Sequence, residues 1–201
     1  DLGKDMKLTG NLEIDFYDSS SDNSPKPRMR HAFFQIQYAL FKFLVGQTWD
    51  IFGPLGPATL NTNGWSWRAG NTGFRRPQVR MTYEQPIAEN RKVTSQVSIN
   101  RNIGSINSVI TNAAINSGED SGIPQIQGRA AYSFPLFNDK ITTLGLAALI
   151  GRERIARNAA ANANGYTIRE WGVGLDADVP VTTKLSLKGV FFYGDYLVGV
   201  L

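Results

Sequence analysis

Apolar and polar side chains alternate along much of this chain. The stretch at residues 6–16 reads MKLTGNLEIDF, in which every second residue is apolar except for Gly10. Successive side chains of an extended strand point to opposite faces, so the alternation predicts a β-strand with one apolar and one polar face. The apolar face must meet either a protein core or lipid, and the function depends on which of the two it meets.

The same period of two recurs in five further stretches, and three less regular stretches bring the predicted total to about nine strands. The regular ones are residues 77–84, 92–100, 124–134, 170–179 and 183–192, and the less regular ones are residues 28–37, 41–50 and 140–151. Most are close in length to the roughly 9–11 residues of a tilted membrane-spanning strand, whereas soluble strands average about five or six.

The connections between these predicted strands alternate between long and short. The long ones are residues 18–27, 51–73, 103–122 and 152–164, and the short ones are residues 38–40, 85–91, 135–139 and 180–183. Outer-membrane barrels have short periplasmic turns and longer external loops. The pattern predicts an all-β fold, an antiparallel up-and-down transmembrane β-barrel, with residues 1–201 as a single domain. The alternatives are a soluble β-sandwich and a small closed barrel with a filled lumen.

The composition narrows the function classes. The chain has 201 residues, of which 42% are hydrophobic, and a formal net charge of +4. It lacks a run of about 18 apolar residues, the length that a transmembrane helix needs. It has no cysteine for a disulfide or a thiolate metal site. Its cationic residues form no continuous block, so nucleic acid is not an expected partner.

The sequence also lacks the residue arrangements that catalysis needs. His31 is the single histidine, and it lies within a predicted strand. No nucleophile motif of the form G-x-S-x-G, no cluster of metal ligands and no glycine-rich phosphate loop occurs. We therefore expect no enzyme activity, no catalytic residue, no metal and no cofactor.

Two neighbouring stretches resemble a known family. PRMRHAFFQIQ at residues 27–37 and KFLVGQTWDIFGP at residues 42–54 are similar to the DcaP-like outer-membrane porins, relatives of the phosphate-selective porins. The resemblance implies a homotrimer of sixteen-stranded barrels in the outer membrane of a Gram-negative bacterium, passing small anionic solutes such as carboxylates. Sixteen strands need more than 201 residues, so we expect further strands after Leu201 and before Asp1.

If the apolar positions face outer-membrane lipid, the alternate positions line a water-filled lumen. Guanidinium groups fork two hydrogen bonds to a carboxylate or phosphate, and a channel lined by one sign of charge concentrates the opposite ion. Alternation with Gln78 selects Arg76 rather than Arg75 for the lumen. The predicted pore-lining, anion-binding residues are Arg28, Arg30, Lys42, Arg76, Arg80 and Arg129, and Arg169 is expected near the outer mouth. The sequence thus predicts passive diffusion of small anions.

The long connection at residues 51–73 carries a second candidate site. Its segment NTNGWSWRAGNTG holds Trp65, Trp67 and Arg68, a combination that suits a constriction for planar anions if the loop folds into the lumen. The same tryptophans also suit packing against a neighbouring subunit or the barrel rim. In the soluble alternative, Trp65 and Trp67 form the binding platform of a carbohydrate- or ligand-binding β-sandwich.

Overall fold

The alternating stretches form nine strands in the structure, a computed structural model that describes residues 6–16, 26–55, 73–102, 121–155 and 166–195. The strands are β1 (Met6–Phe16), β2 (Pro27–Tyr38), β3 (Phe41–Trp49), β4 (Arg75–Ala88), β5 (Arg91–Asn100), β6 (Gln125–Pro135), β7 (Ile141–Ile155), β8 (Tyr166–Pro180) and β9 (Ser186–Asp195). A single 3₁₀ turn at Phe137–Asp139 is the other element in this part of the chain.

Each strand pairs with the next one along the chain, in antiparallel orientation. The sheet order runs from β1 to β9 without a crossover, and β1 is not hydrogen-bonded to β9, so the sheet is open. This confirms the predicted all-β, up-and-down fold and the nine predicted strands. Within the described ranges, no helix has the length and apolarity that crossing a bilayer requires.

The short connections lie together at one end of the sheet, and three of the four contain left-handed backbone. Ala39, Asn90, Asn138 and Asp139 all have positive φ angles, and each lies in one of these connections. Asparagine and aspartate tolerate this conformation better than other residues with side chains. Such tight turns bring consecutive strands into direct antiparallel register, as the sequence predicts.

The two faces of the sheet differ in chemistry. Apolar side chains of one face remain uncovered, for example Leu12 at 70% and Leu187 at 59% exposure. The opposite face carries the buried polar side chains, which include Gln78, Ser98 and Gln127. A soluble β-sandwich buries its apolar face under a second sheet, and the described strands form only one sheet. An apolar surface of this extent needs a cover that the described strands do not provide.

A β-bulge explains why the alternation of residues 28–37 is irregular. Glu13 pairs with His31 but Ile14 pairs with Met29, so the register shifts and Arg30 is the additional residue of β2. A bulge inserts one residue into one strand and re-aims the side chains beside it. Arg28 and His31 therefore both lie on the polar face, although they have opposite parity in the sequence.

Gly46 permits close contact between β2 and β3. Its φ angle is +131°, and a Cβ at this position meets the Ala32 carbonyl oxygen at 2.2 Å and the Phe33 Cα at 2.6 Å. Both atoms belong to the backbone, which cannot rotate away as a side chain can. The strand pair thus depends on glycine for conformation and for space.

We predict that Gly46→Ala lowers the free energy of unfolding by more than the roughly 1–3 kcal/mol of a strained backbone angle, because steric collision adds to that strain. The measurement is urea unfolding of the detergent-refolded protein, in which the heat-modifiable gel migration reports the folded fraction. Gly189→Ala is the matched control, since a Cβ there meets no atom within 4 Å. Equal losses in the two variants contradict the role given to Gly46.

Candidate functional site

The chain that leaves β3 turns onto the polar face of the sheet. Asp50, Ile51 and Phe52 are 3%, 2% and 1% exposed, respectively. The backbone N–H groups of Ile51 and Phe52 both donate to the Gln127 Oε1 of β6, at 3.0 and 3.1 Å. We call residues 50–53 the inturned segment. The side-chain amide of Gln127 thus binds two successive residues of the inturned segment.

The Phe52 side chain packs against strands beyond β6. It forms a buried cluster with Ala147 and Leu149 of β7, against which Phe192 of β9 packs. A Cβ placed on Gly174 of β8 lies 3.6 Å from the Phe52 ring. From β3 to β8 the sheet is five spacings wide, about 24 Å along its surface. Three residues span about 10 Å, so the sheet must curve around the inturned segment.

Small residues on the polar face make room for Phe52. In β7 and β8 the positions beside the Phe52 ring are Ala147, Leu149 and Gly174, which carry no charge. The sequence signal is a break in the polar phase of these two strands, where small or apolar residues replace polar ones. Alternation alone does not say which side chain docks at such a break, because its partner comes from a distant part of the chain.

A buried ion pair ties the inturned segment to β4. The Arg76 Nε lies 3.2 Å from the Asp50 Oδ2, and both side chains are fully buried. Burial raises the pKa of the Asp50 carboxyl, and the Arg76 guanidinium opposes that shift. Gln127 Nε2 also donates to Asp50 Oδ2 at 3.3 Å. The carboxylate therefore has both a countercharge and a neutral donor.

The network continues from Arg76 across the polar face to β8. Arg76 donates to the Gln125 Oε1 at 3.0 Å, and Gln125 Nε2 donates to the Glu170 Oε2 at 2.8 Å. Gln127 Nε2 donates to the same Gln125 oxygen at 2.7 Å. Buried polar groups are costly unless they are hydrogen-bonded, and here the amides bridge charges that do not touch. The wall behind the inturned segment is thus a connected polar layer.

Most other cations of the polar face also contact an acid. Arg129 forms a two-pronged contact with Asp176, at 3.0 and 2.6 Å. Lys42 lies 2.6 Å from Glu84. The remaining pairs are Arg28 with Asp15, Arg30 with Glu13 and Asp15, Lys92 with Glu84, and Lys188 with Asp178. The cations therefore form compensated pairs rather than an uncompensated ladder.

Arg80 differs from these cations. In the described part of the chain, no carboxylate oxygen lies within 4.0 Å of its guanidinium. It donates instead to the Gln78 Oε1, at 3.0 and 2.7 Å, and to the Trp49 carbonyl oxygen. Its neighbours across the strands are Leu44 and Ser98, which carry no charge. These neutral acceptors hold the Arg80 guanidinium in position, and no carboxylate in contact with it offsets its charge.

The structure places most of the predicted site residues on the polar face. Lys42, Arg76, Arg80 and Arg129 follow the alternation directly, and Arg28 and Arg30 reach that face through the bulge. Alternation also puts Glu84, Asp176, Gln125 and Gln127 on the polar parity of their strands. It does not show which cation each of them contacts, because the partners lie on different strands. Trp65, Trp67 and Arg68 lie outside the described residues.

Arg169 does not lie on the face of the predicted pore-lining residues. Glu170 and Asp176 of β8 are buried on the polar face, whereas Arg169, of the opposite parity, is exposed on the same face as Trp171. Arg75 also follows the apolar parity, as predicted, and its guanidinium lies 4.9 Å from the centroid of the Trp49 ring. Arg169 thus lies on the face of the sheet opposite to the buried polar side chains, and Arg75 is half-buried beside Trp49.

The fold matches a solved structure. It is the crystal structure of the outer membrane channel DcaP of Acinetobacter baumannii, with a TM-score of 0.65 and 21% sequence identity over 94% of this chain and 48% of that chain. The chain thus spans about half the length of that channel. No family model matches the sequence, and no curated protein matches it. At this identity the likeness shows the fold, which is that of an outer-membrane channel.

We predict that Arg76→Gln destabilises the protein by about 3–5 kcal/mol, because it leaves the Asp50 carboxylate buried without a countercharge. The measurement is the urea midpoint of unfolding in detergent. Arg28→Gln is the matched control, since its Asp15 pair is partly exposed and such pairs contribute about 0–1 kcal/mol. Similar losses in both variants argue against a special role for the buried pair.

Proposed function

We propose that this protein is a porin of the Gram-negative outer membrane, through which small anionic solutes such as carboxylates diffuse passively. The observation that carries the proposal is the two-faced sheet: apolar side chains remain uncovered on one face, and a polar layer with an inturned segment occupies the other. Lipid on the first face and water on the second satisfy both sets of side chains. Diffusion through such a pore requires neither a cofactor nor a catalytic residue.

The two free edges of the sheet support a larger barrel. In hydrocarbon, each unpaired backbone N–H or C=O costs several kcal/mol, so spanning sheets close on themselves. The outer edges of β1 and β9 carry such groups. We propose that residues 1–201 form one part of a single barrel domain, of sixteen strands as the resemblance to DcaP-like porins implies, and that barrels assemble as homotrimers.

The inturned segment narrows the bore in this proposal. It carries Phe52 to the wall opposite β3 and leaves Arg80 on the adjacent polar surface. A narrow, low-dielectric passage strengthens the field of any charge that lacks a close partner. Because the other cations contact acids, the preference for anions rests mainly on Arg80 and is moderate rather than absolute.

We predict that Arg80→Gln lowers the permeability ratio of chloride over potassium by up to about thirtyfold. A unit charge about 4 Å from an ion in water is worth about 1 kcal/mol, and it attracts chloride and repels potassium by that amount. The measurement is the reversal potential across a planar bilayer under a KCl gradient. Arg91→Gln is the matched control, because Arg91 is an exposed arginine at the short-turn end of β5. If both variants retain the wild-type ratio, Arg80 does not set the selectivity.

We predict that Gln127→Leu raises the single-channel conductance. The substitution removes the acceptor for two backbone N–H groups of the inturned segment, at a cost of about 1–3 kcal/mol for each donor left unpaired. The segment should then leave the wall and widen the bore. Gln96→Leu is the control, because Gln96 lies on the same face and donates to Thr82 rather than to the segment. An unchanged conductance in Gln127→Leu contradicts the proposed narrowing.

A further inference from the structure

Two arginines lie directly opposite each other on the apolar face of the sheet. Arg152 of β7 pairs in register with Arg169 of β8, and both side chains are exposed. Directly opposed residues of an antiparallel pair have Cβ atoms about 4.5–5.5 Å apart, and like charges at this spacing destabilise the sheet. An anion bound between the two guanidinium groups would offset this repulsion.

The protein supplies no such anion among the described residues. No carboxylate oxygen lies within 4.0 Å of either guanidinium. The neighbouring acids Glu153 and Glu170 are buried on the polar face, on the other side of the sheet. Asp195 shares the apolar face opposite Trp171, and it makes no ion pair with Arg169. The two guanidinium groups thus present donors outward.

Arg152 and Arg169 lie at the position along the strands where a lipid headgroup is expected. On both strands the arginine is the first polar residue after an apolar run on the same face, which consists of Leu144, Leu146, Ala148 and Ile150 on β7 and of Ala177, Leu175, Val173 and Trp171 on β8. The arginines lie at the end that carries the long connections, which is the external end in an outer-membrane barrel. Below them, the Trp171 and Tyr193 rings pack edge to face at 5.8 Å. Such aromatics mark the membrane interface.

We propose that Arg152 and Arg169 bind a phosphate group of an anionic lipid headgroup in the outer leaflet, with its acyl chains on the apolar run below. The phosphate oxygens accept charge-assisted hydrogen bonds from both guanidinium groups and cancel their mutual repulsion. This inference rests on the membrane placement of the proposed function. It concerns the outside of the barrel and not the permeation path.

The test is a titration of the purified protein in detergent with diphosphorylated lipid A, followed by native mass spectrometry. Dephosphorylated lipid A and inorganic phosphate are separate arms. We expect tight binding of the phosphorylated lipid only, and a loss of about tenfold in affinity for each of Arg152→Gln and Arg169→Gln. Arg91→Gln, at the opposite end of the strands, should bind as the wild type does.

Two outcomes overturn the inference: unchanged lipid affinity in the double variant Arg152→Gln/Arg169→Gln, or equally tight binding of inorganic phosphate alone. Heat-modifiable migration in gels verifies folding, and Arg152→Lys/Arg169→Lys, which keeps both charges, should bind more tightly than the glutamine pair. In lipid-free detergent the glutamine pair should be at least as stable as the wild type, because repulsion is gone. Its conductance should equal that of the wild type, so failure of this site is distinguishable from failure of the proposed pore.

Discussion

Backbone hydrogen bonding in hydrocarbon is the constraint on which the rest of this structure depends. Lipid offers no partner for an N–H or a C=O group, so a chain that crosses it as strands must pair every strand with a neighbour. Antiparallel pairing in chain order satisfies this demand with the shortest connections. Pairing then forces the side chains into two sets, and each set must suit a different surrounding. The alternation of apolar and polar residues in the sequence results from this separation of the side chains onto two faces.

The polar face shows how such a wall tolerates many charges. Buried cations and acids are matched within contact distance, and the Gln125–Gln127 amides connect groups that are too far apart to touch. Removing charge from water is costly unless a partner compensates it. The exception, Arg80, is held by neutral acceptors, which orient the guanidinium without neutralising it. Under the proposed function, selectivity would depend on which charge lacks a contacting countercharge rather than on how many charges are present.

The sequence predicts what is local and periodic in this protein. Six of the nine strands follow from regular alternation and three from less regular stretches, and the parity argument places Arg76 and Arg75 on different faces, as in the structure. The same argument, applied to β8, places Arg169 on the apolar face, and the structure has it there. The contact of Phe52 with Gln127 joins residues 75 positions apart, so no local pattern encodes it. The bulge at Arg30 is visible in the sequence only as an irregular strand.

The contacts between the inturned segment and the polar face have a consequence for how the protein responds to salt. The ion pair is fully buried, the remaining contacts are amide hydrogen bonds, and dissolved ions screen buried groups far less than exposed ones. In the proposed pore, an aperture set by these buried contacts would keep one size as the ionic strength changes, while the field of the Arg80 guanidinium would weaken as salt rises. Such a pore would sieve solutes by size equally well in dilute and in concentrated salt, and it would discriminate by charge mainly in dilute salt.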